Sequence, residues 1–131
     1  MKTKSTPAVS SRGRLPPSVP PARLGELERL VLLAALRVAA ESPDDVYGVA
    51  IRRELLARTG RDVSPGAIYT VLERMERRGL VTSRFGEPTP VRGGKRKRLY
   101  TVLPAAVQAL ERSLGDLRLL AGGQIPGIGW S

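Results

Sequence analysis

Apolar residues recur at helical spacing in the first third of the chain. Leu27, Leu30, Val31, Ala34 and Val38 fall at intervals of three and four, and Leu32, Leu33 and Leu36 widen the apolar surface. The pattern predicts a helix over 24–41 that needs cover on more than one side. Ser42-Pro43 stops it. A second helix is expected from Val46 to Thr59, capped by Asp44 or Asp45 and ended by Gly60. Val49, Ala50, Ile51, Leu55 and Leu56 would supply its buried side.

The third helix has the sharpest boundaries. Ser64 can accept a bond from a first-turn N–H, Pro65 suits the first helical position, and Gly79 ends the element. A step of about 100° per residue puts Ile68, Val71, Leu72 and Met75 on one face. The opposite face carries Gly66, Thr70, Glu73 and Arg77, with Tyr69 and Arg74 on its flanks.

Then the period changes. Leu80, Val81 and Phe85, and later Leu99, Tyr100, Thr101 and Val102, read as two short strands. Pro88, Pro90, Gly93 and Gly94 open a loop between them, and Arg92, Lys95, Arg96 and Lys97 charge it. A last helix begins near Pro104. Leu103, Val107, Leu110, Leu114, Leu117 and Ala121 form a heptad seam of about two and a half repeats. Such a seam either packs on its own domain or makes a contact between subunits. Gly115 in its middle costs about 1 kcal/mol relative to Ala.

Charge sharpens this picture. The 131 residues carry a formal net charge of +10. Residues 1–23 hold Lys2, Lys4, Arg12, Arg14 and Arg23 and no acid. Residues 84–98 hold six basic side chains against Glu87, and the remainder is balanced. Either run alone could be a solvated face; two of them on a neutral body point to a polyanion. Residues 1–23 also contain Pro7, Pro16, Pro17, Pro20 and Pro21, so they read as a flexible basic tail. Residues 122–131, glycine-rich around Pro126, read as a second flexible tail, with Trp130 outside any ordered pattern.

Composition excludes several chemistries. With no Cys and no His, there is no disulfide, thiol nucleophile, Cys/His zinc site or His general base. No paired-carboxylate motif stands out, so an enzyme is disfavoured and no cofactor is expected. Gly93-Gly94-Lys95 is not a phosphate-binding loop, because Thr89 and Arg96 occupy positions that need Gly and a hydroxyl residue. The longest purely apolar run, Leu30 to Leu36, is far too short to span a membrane.

The element order is three helices, a strand, a basic loop, a strand and a helix. The fold class is mainly α with a small β-wing: a winged helix-turn-helix over 24–103 and a further helix over 104–121. In such a unit the third helix enters the major groove of duplex DNA, its first turn nearest the base edges. Ser64, Gly66 and Ala67 are small there and permit close approach. Lys95, Arg96 and Lys97 are the strongest phosphate ligands. Arg74 and Arg77 either contact phosphate or pair with Glu73 or Glu76. Tyr69 can pack its ring and present its hydroxyl, whereas Tyr47 and Tyr100 read as core.

These residues resemble the PadR family of bacterial transcriptional regulators. The likeness rests on residues 64–76 (Ser-Pro-Gly-Ala-Ile-Tyr-Thr-Val-Leu-Glu-Arg-Met-Glu), on Gly79-Leu80-Val81, on Tyr47-Gly48 with Ile51 and Glu54-Leu55, and on Leu99-Tyr100 before Val102. Gly86-Glu87-Pro88-Thr89-Pro90 and Arg92-Gly93-Gly94 look like the wing of a branch often encoded near transporter permeases, and the short final helix suits the smaller branch. Where the family usually has an aromatic, a Thr cap and a Gly, this chain has Val49, Leu103 and Ala106.

The resemblance implies a cytoplasmic bacterial repressor that binds an inverted-repeat operator as a homodimer. Tyr69 and Thr70 would approach the DNA, and the wing basics, Arg92 included, would meet the backbone or minor groove. The first and last helices would build the dimer, through Leu27, Val31, Val107, Leu110, Leu114, Leu117 and Ala121. A hydrophobic effector between subunits would shift the spacing of the reading heads. The alternative is a winged helix that binds RNA or a protein partner. RNA binders display stacking aromatics; of five aromatics here, only Phe85 lies near the charged loop.

Overall fold

A computed structural model describes residues 22–87 and 96–122 of the chain. Most of both expected tails, the turn of the wing with Arg92 and Lys95, and Trp130 therefore lie outside the described residues. The elements run α1 (Glu26–Glu41), a 3₁₀ turn (Pro43–Asp45), α2 (Gly48–Thr59), α3 (Pro65–Arg77), β1 (Val81–Phe85), β2 (Arg98–Val102) and α4 (Pro104–Ala121). The strands form a two-stranded antiparallel sheet in which Val81 faces Val102, Ser83 faces Tyr100 and Phe85 faces Arg98.

The core sits where α1, α2, α3 and the base of the sheet converge. Val31, Leu32, Ile51, Ile68, Leu72, Met75 and Leu80 are all buried. The apolar stripe foreseen on α3 is thus the face that anchors it. Val31, expected at a subunit contact, is buried in the chain's own core. Leu110 is buried in the same way.

Two element starts differ from expectation. α1 begins at Glu26, because Gly25 sits at its N-cap and donates its N–H to the Glu28 carboxylate at 2.8 Å. α2 begins at Gly48 with extended Tyr47 at its N-cap, and neither Asp44 nor Asp45 caps it. The reason is tertiary. Tyr100 donates its N–H to the Val46 carbonyl at 2.8 Å, and Tyr47 bridges antiparallel to Leu99. Residues 46–47 are therefore drawn out as a short third strip along β2. The buried face of α2 runs through Gly48, Ile51 and Leu55, so Val49 and Leu56, both expected on it, are exposed.

Gly60 and Gly79 both adopt φ of +75°, the left-handed conformation that ends α2 and turns the chain from α3 into β1. α4 starts at Pro104 with Leu103 at its N-cap and no side-chain cap bond. Ala106, where the resembled family carries Gly, is fully buried against the core. Buried residues of α4 are confined to Ala106, Ala109 and Leu110; beyond them the helix projects, with Leu117, Leu119 and Leu120 exposed. No helix among the described residues is long and apolar enough to cross a membrane.

Candidate nucleic-acid interface

α3 is held from its first turn. The Ser64 hydroxyl accepts the Ala67 N–H at 3.2 Å, and Pro65 takes the first helical position. The turn that delivers it is clamped by α2: Arg52 donates Nε to the Val63 carbonyl and Nη2 to Asp62 at 2.6 Å. With Ile68, Val71, Leu72 and Met75 buried, Ser64, Gly66, Tyr69, Thr70, Glu73, Arg74 and Arg77 are exposed and Ala67 is half-buried. A Cβ placed on Gly66 would meet nothing within 4 Å. The outer face of α3 is open from end to end.

Tyr69 is packed and partly exposed at once, but its hydroxyl, expected to point outward, lies against α2, 2.6 Å from where a Cβ on Gly48 would stand. Its ring lies across Gly48 of α2, where an added Cβ would fall 2.5 Å from the ring, and the residue remains 38% exposed. Only glycine at position 48 allows this approach.

The two arginines of α3 make no ion pair among the described residues, although each has a glutamate nearby in sequence. Glu76 is taken elsewhere. Its carboxylate accepts the Ser83 hydroxyl at 2.9 Å, and Arg98 donates to the same hydroxyl at 3.0 Å and lies 3.6 Å from the carboxylate. Arg98 also sits over the Phe85 ring, 5.4 Å from its centroid. This knot ties α3 to both strands of the wing. It commits Arg98 to the fold and leaves Arg74 and Arg77 free to meet an outside anion.

Of the wing basics, Arg96 and Lys97 are described and exposed; Arg92 and Lys95 fall outside the described residues. Lys97 does not simply extend into solvent: its ammonium lies over the Tyr47 ring, 4.3 Å from the centroid. Contacts of this kind contribute about 0.5–1 kcal/mol at exposed sites. Tyr47, expected in the core, is half-buried with a cation on its face. Only its partners in the fold mark it out. Tyr100 is core, as expected. Burial pushes its phenol above the usual value; Arg98 opposes the shift, while Glu76, Tyr69 and Glu73 add to it.

Arg78, just past α3, donates Nη1 to the buried Glu28 carboxylate at 2.8 Å and Nη2 to the Arg23 carbonyl. It locks the end of the exposed helix to the start of α1, across fifty residues of sequence. The expected contact residues of the other helices fall into two groups. Val31 and Leu110 are buried within the chain; Leu27, Val107, Leu114 and Ala121 are half-buried and Leu117 is exposed.

An anchored helix with an open outer face, followed directly by a two-stranded basic ribbon, defines a winged helix-turn-helix regulator. The chain belongs to the PadR-like family of transcriptional regulators, whose family model matches residues 35–112. It is 38% identical over 98 residues to Transcriptional regulator Rv3488 of Mycobacterium tuberculosis, covering 72% of this chain and 85% of that protein. Solved structures share the fold. A PadR family transcription regulator from Clostridium difficile R20291 superposes with a TM-score of 0.54 at 24% identity, over 71% of this chain and 88% of the other. A PadR-like regulator from Bacillus cereus superposes with a TM-score of 0.51 at 22% identity, over 74% and 94%. The family is one of regulators and not of enzymes.

Proposed function

We propose that this PadR-like regulator binds an inverted-repeat operator in duplex DNA as a homodimer and represses transcription from it. The observation that carries this reading is the open face of α3: Gly66, Tyr69, Thr70, Arg74 and Arg77 are exposed on a helix whose other side is fully buried. An α-helix fits the major groove, and small residues in its first turn let the backbone come close to the base edges. Ser64, Gly66, Ala67, Tyr69 and Thr70 would read or approach bases. Arg74, Arg77, Arg92, Lys95, Arg96 and Lys97 would meet phosphates, supplying sequence-independent affinity.

The dimer reading draws on the projecting half of α4. Leu117, Leu119 and Leu120 are exposed there, and helix faces this apolar need cover in water. Leu27 of α1 and Val107, Leu114 and Ala121 of α4 are only half-buried and would line the contact. Two subunits related by a two-fold axis would present their α3 helices to half-sites one helical turn apart, about 34–36 Å. A hydrophobic effector released into or from that contact would alter the spacing of the two helices and so the affinity. On this reading residues 24–103 form the DNA-binding unit and 104–121 the dimerisation helix.

Footprinting on the DNA upstream of the protein's own gene tests the proposal. The expected result is two symmetric protected half-sites one turn apart, with lowered transcription from that promoter when the protein is added. Even, sequence-independent protection would overturn the operator reading. Preference for structured RNA over duplex DNA in direct competition would move the function to RNA.

A further inference from the structure

The strand geometry around residue 47 brings together two side chains that sequence separates by fifty positions. Tyr47 pairs antiparallel with Leu99. On an antiparallel pair, the diagonal neighbour two residues away lies on the same face and within reach of an aromatic ring. For Tyr47 that neighbour is Lys97, and its ammonium sits 4.3 Å from the ring centroid. The Tyr47 backbone is held on three sides. Its N–H donates to the Asp45 carbonyl at 2.9 Å, its carbonyl accepts the Ile51 N–H at 3.0 Å, and the adjacent Val46 carbonyl accepts the Tyr100 N–H. The ring is therefore a fixed platform at the head of α2. The next residue, Gly48, is the one that seats Tyr69 of α3.

We infer that Tyr47 is a positioning residue for DNA binding: its ring holds Lys97 at the loop end of the wing strands, so that the ammonium meets a phosphate there. The inference rests on the DNA-binding function proposed above. It adds a residue outside the contact set, one that acts through Lys97 without itself touching the nucleic acid. A lysine on a bare loop loses considerable side-chain freedom when it docks; over the ring much of that loss has already occurred. One face of the ammonium is spent on the ring, and its remaining N–H donors stay free for phosphate oxygens. Any aromatic ring would serve at position 47, and an aliphatic side chain of similar bulk would not.

The test measures full-chain binding to a 30-base-pair duplex of arbitrary sequence by fluorescence anisotropy over a range of salt. A phosphate contact is sequence-independent, so no operator is needed. Lys97→Gln should lower the slope of log affinity against log salt by roughly 0.9, the value of one lost contact. Tyr47→Phe should keep the parent slope. Tyr47→Leu should fall to the Lys97→Gln slope and add nothing in the Lys97→Gln background. A parent slope in Tyr47→Leu, or additive losses in the double variant, would overturn the inference while leaving the DNA-binding function standing. No binding of the duplex by the parent protein would instead overturn that function and this inference with it. Should Tyr47→Leu fail to fold, NMR of the parent and of Tyr47→Phe decides. The Lys97 ε-methylene protons should be displaced upfield by the ring in both proteins, and unshifted protons would overturn the placement.

Discussion

The hydroxyl of Tyr69 lies 2.6 Å from the point where a Cβ on Gly48 would stand. Two residues on different helices thus share one volume, and the pose of the α3 tyrosine depends on a missing side chain on α2. Gly48→Ala should therefore do two things. An alanine in a helix is ordinarily favoured over glycine by about 0.5–1 kcal/mol, yet here overpacking should make the net effect a loss of about 1–3 kcal/mol. Duplex DNA affinity should fall too, because the Tyr69 ring must swing away. Thermal melting and anisotropy check both, and adding Tyr69→Ala should recover the stability. An unchanged melting temperature in Gly48→Ala would show that the ring has another seat at no cost.

The Arg78–Glu28 pair fastens the end of α3 to α1. Glu28 is buried, with its other carboxylate oxygen holding the Gly25 N–H, so removing the arginine strands a charge. Arg78→Ala should cost about 2–3 kcal/mol in urea unfolding. That lies below the 3–5 kcal/mol of a fully buried pair, because the arginine side chain is still 34% exposed. Replacing both partners by apolar residues should cost less than Arg78→Ala alone. A double variant weaker than the single one would contradict this account.

Ser64 has a structural duty besides any part in recognition. Its hydroxyl accepts the Ala67 N–H, one of the donors that a helix start leaves unsatisfied. Ser64→Ala should destabilise the chain by about 1 kcal/mol and Ser64→Asp should hold stability near the parent. Equilibrium unfolding separates this from DNA contact. If the alanine variant loses affinity at full stability, the hydroxyl acts on the nucleic acid and not on the helix.

Tyr100 gives the fold a weakness at alkaline pH. Burial, the first cause, lifts its native-state pKa above that of the unfolded chain. The native state then keeps a proton that the unfolded chain releases, so the contribution is fully present below about pH 10. It is lost as the pH climbs through the native value. Tyr100→Phe cannot lose it. The difference in melting temperature between variant and parent should be constant from about pH 7 to 9 and move in favour of the variant above pH 10. A difference that stays flat to pH 11 would show that the phenol ionises equally in both states.

Much of this molecule was legible in one dimension. The α3 boundaries follow from Ser64, Pro65 and Gly79, and its buried face from Ile68, Val71, Leu72 and Met75. The two strands and the start of α4 at Pro104 fell where the change of period placed them. These features are local: capping, a fixed proline φ, a glycine φ and a periodicity each act within one or two turns of chain. The open outer face of α3 followed from the same arithmetic, because whatever the buried stripe excludes must face outward.

What the tertiary structure alone decided is which distant residues share a volume or a hydrogen bond. Residues 46–47 leave the predicted helix because β2 offers their backbone a partner that a cap at Asp44 or Asp45 could not match. Val31 in the stripe of α1 and Leu110 in the seam of α4 could each have met a second subunit, but the chain's own core claims them. Arg98 is tied down by Glu76 and Ser83, and Tyr47 looked like core until Lys97 settled on its ring. A periodic pattern says which side of a helix is apolar; which neighbour covers that side, and which charge meets which carboxylate, depends on how elements far apart in sequence close around one another. That closure is set by packing and pairing energies no local window contains.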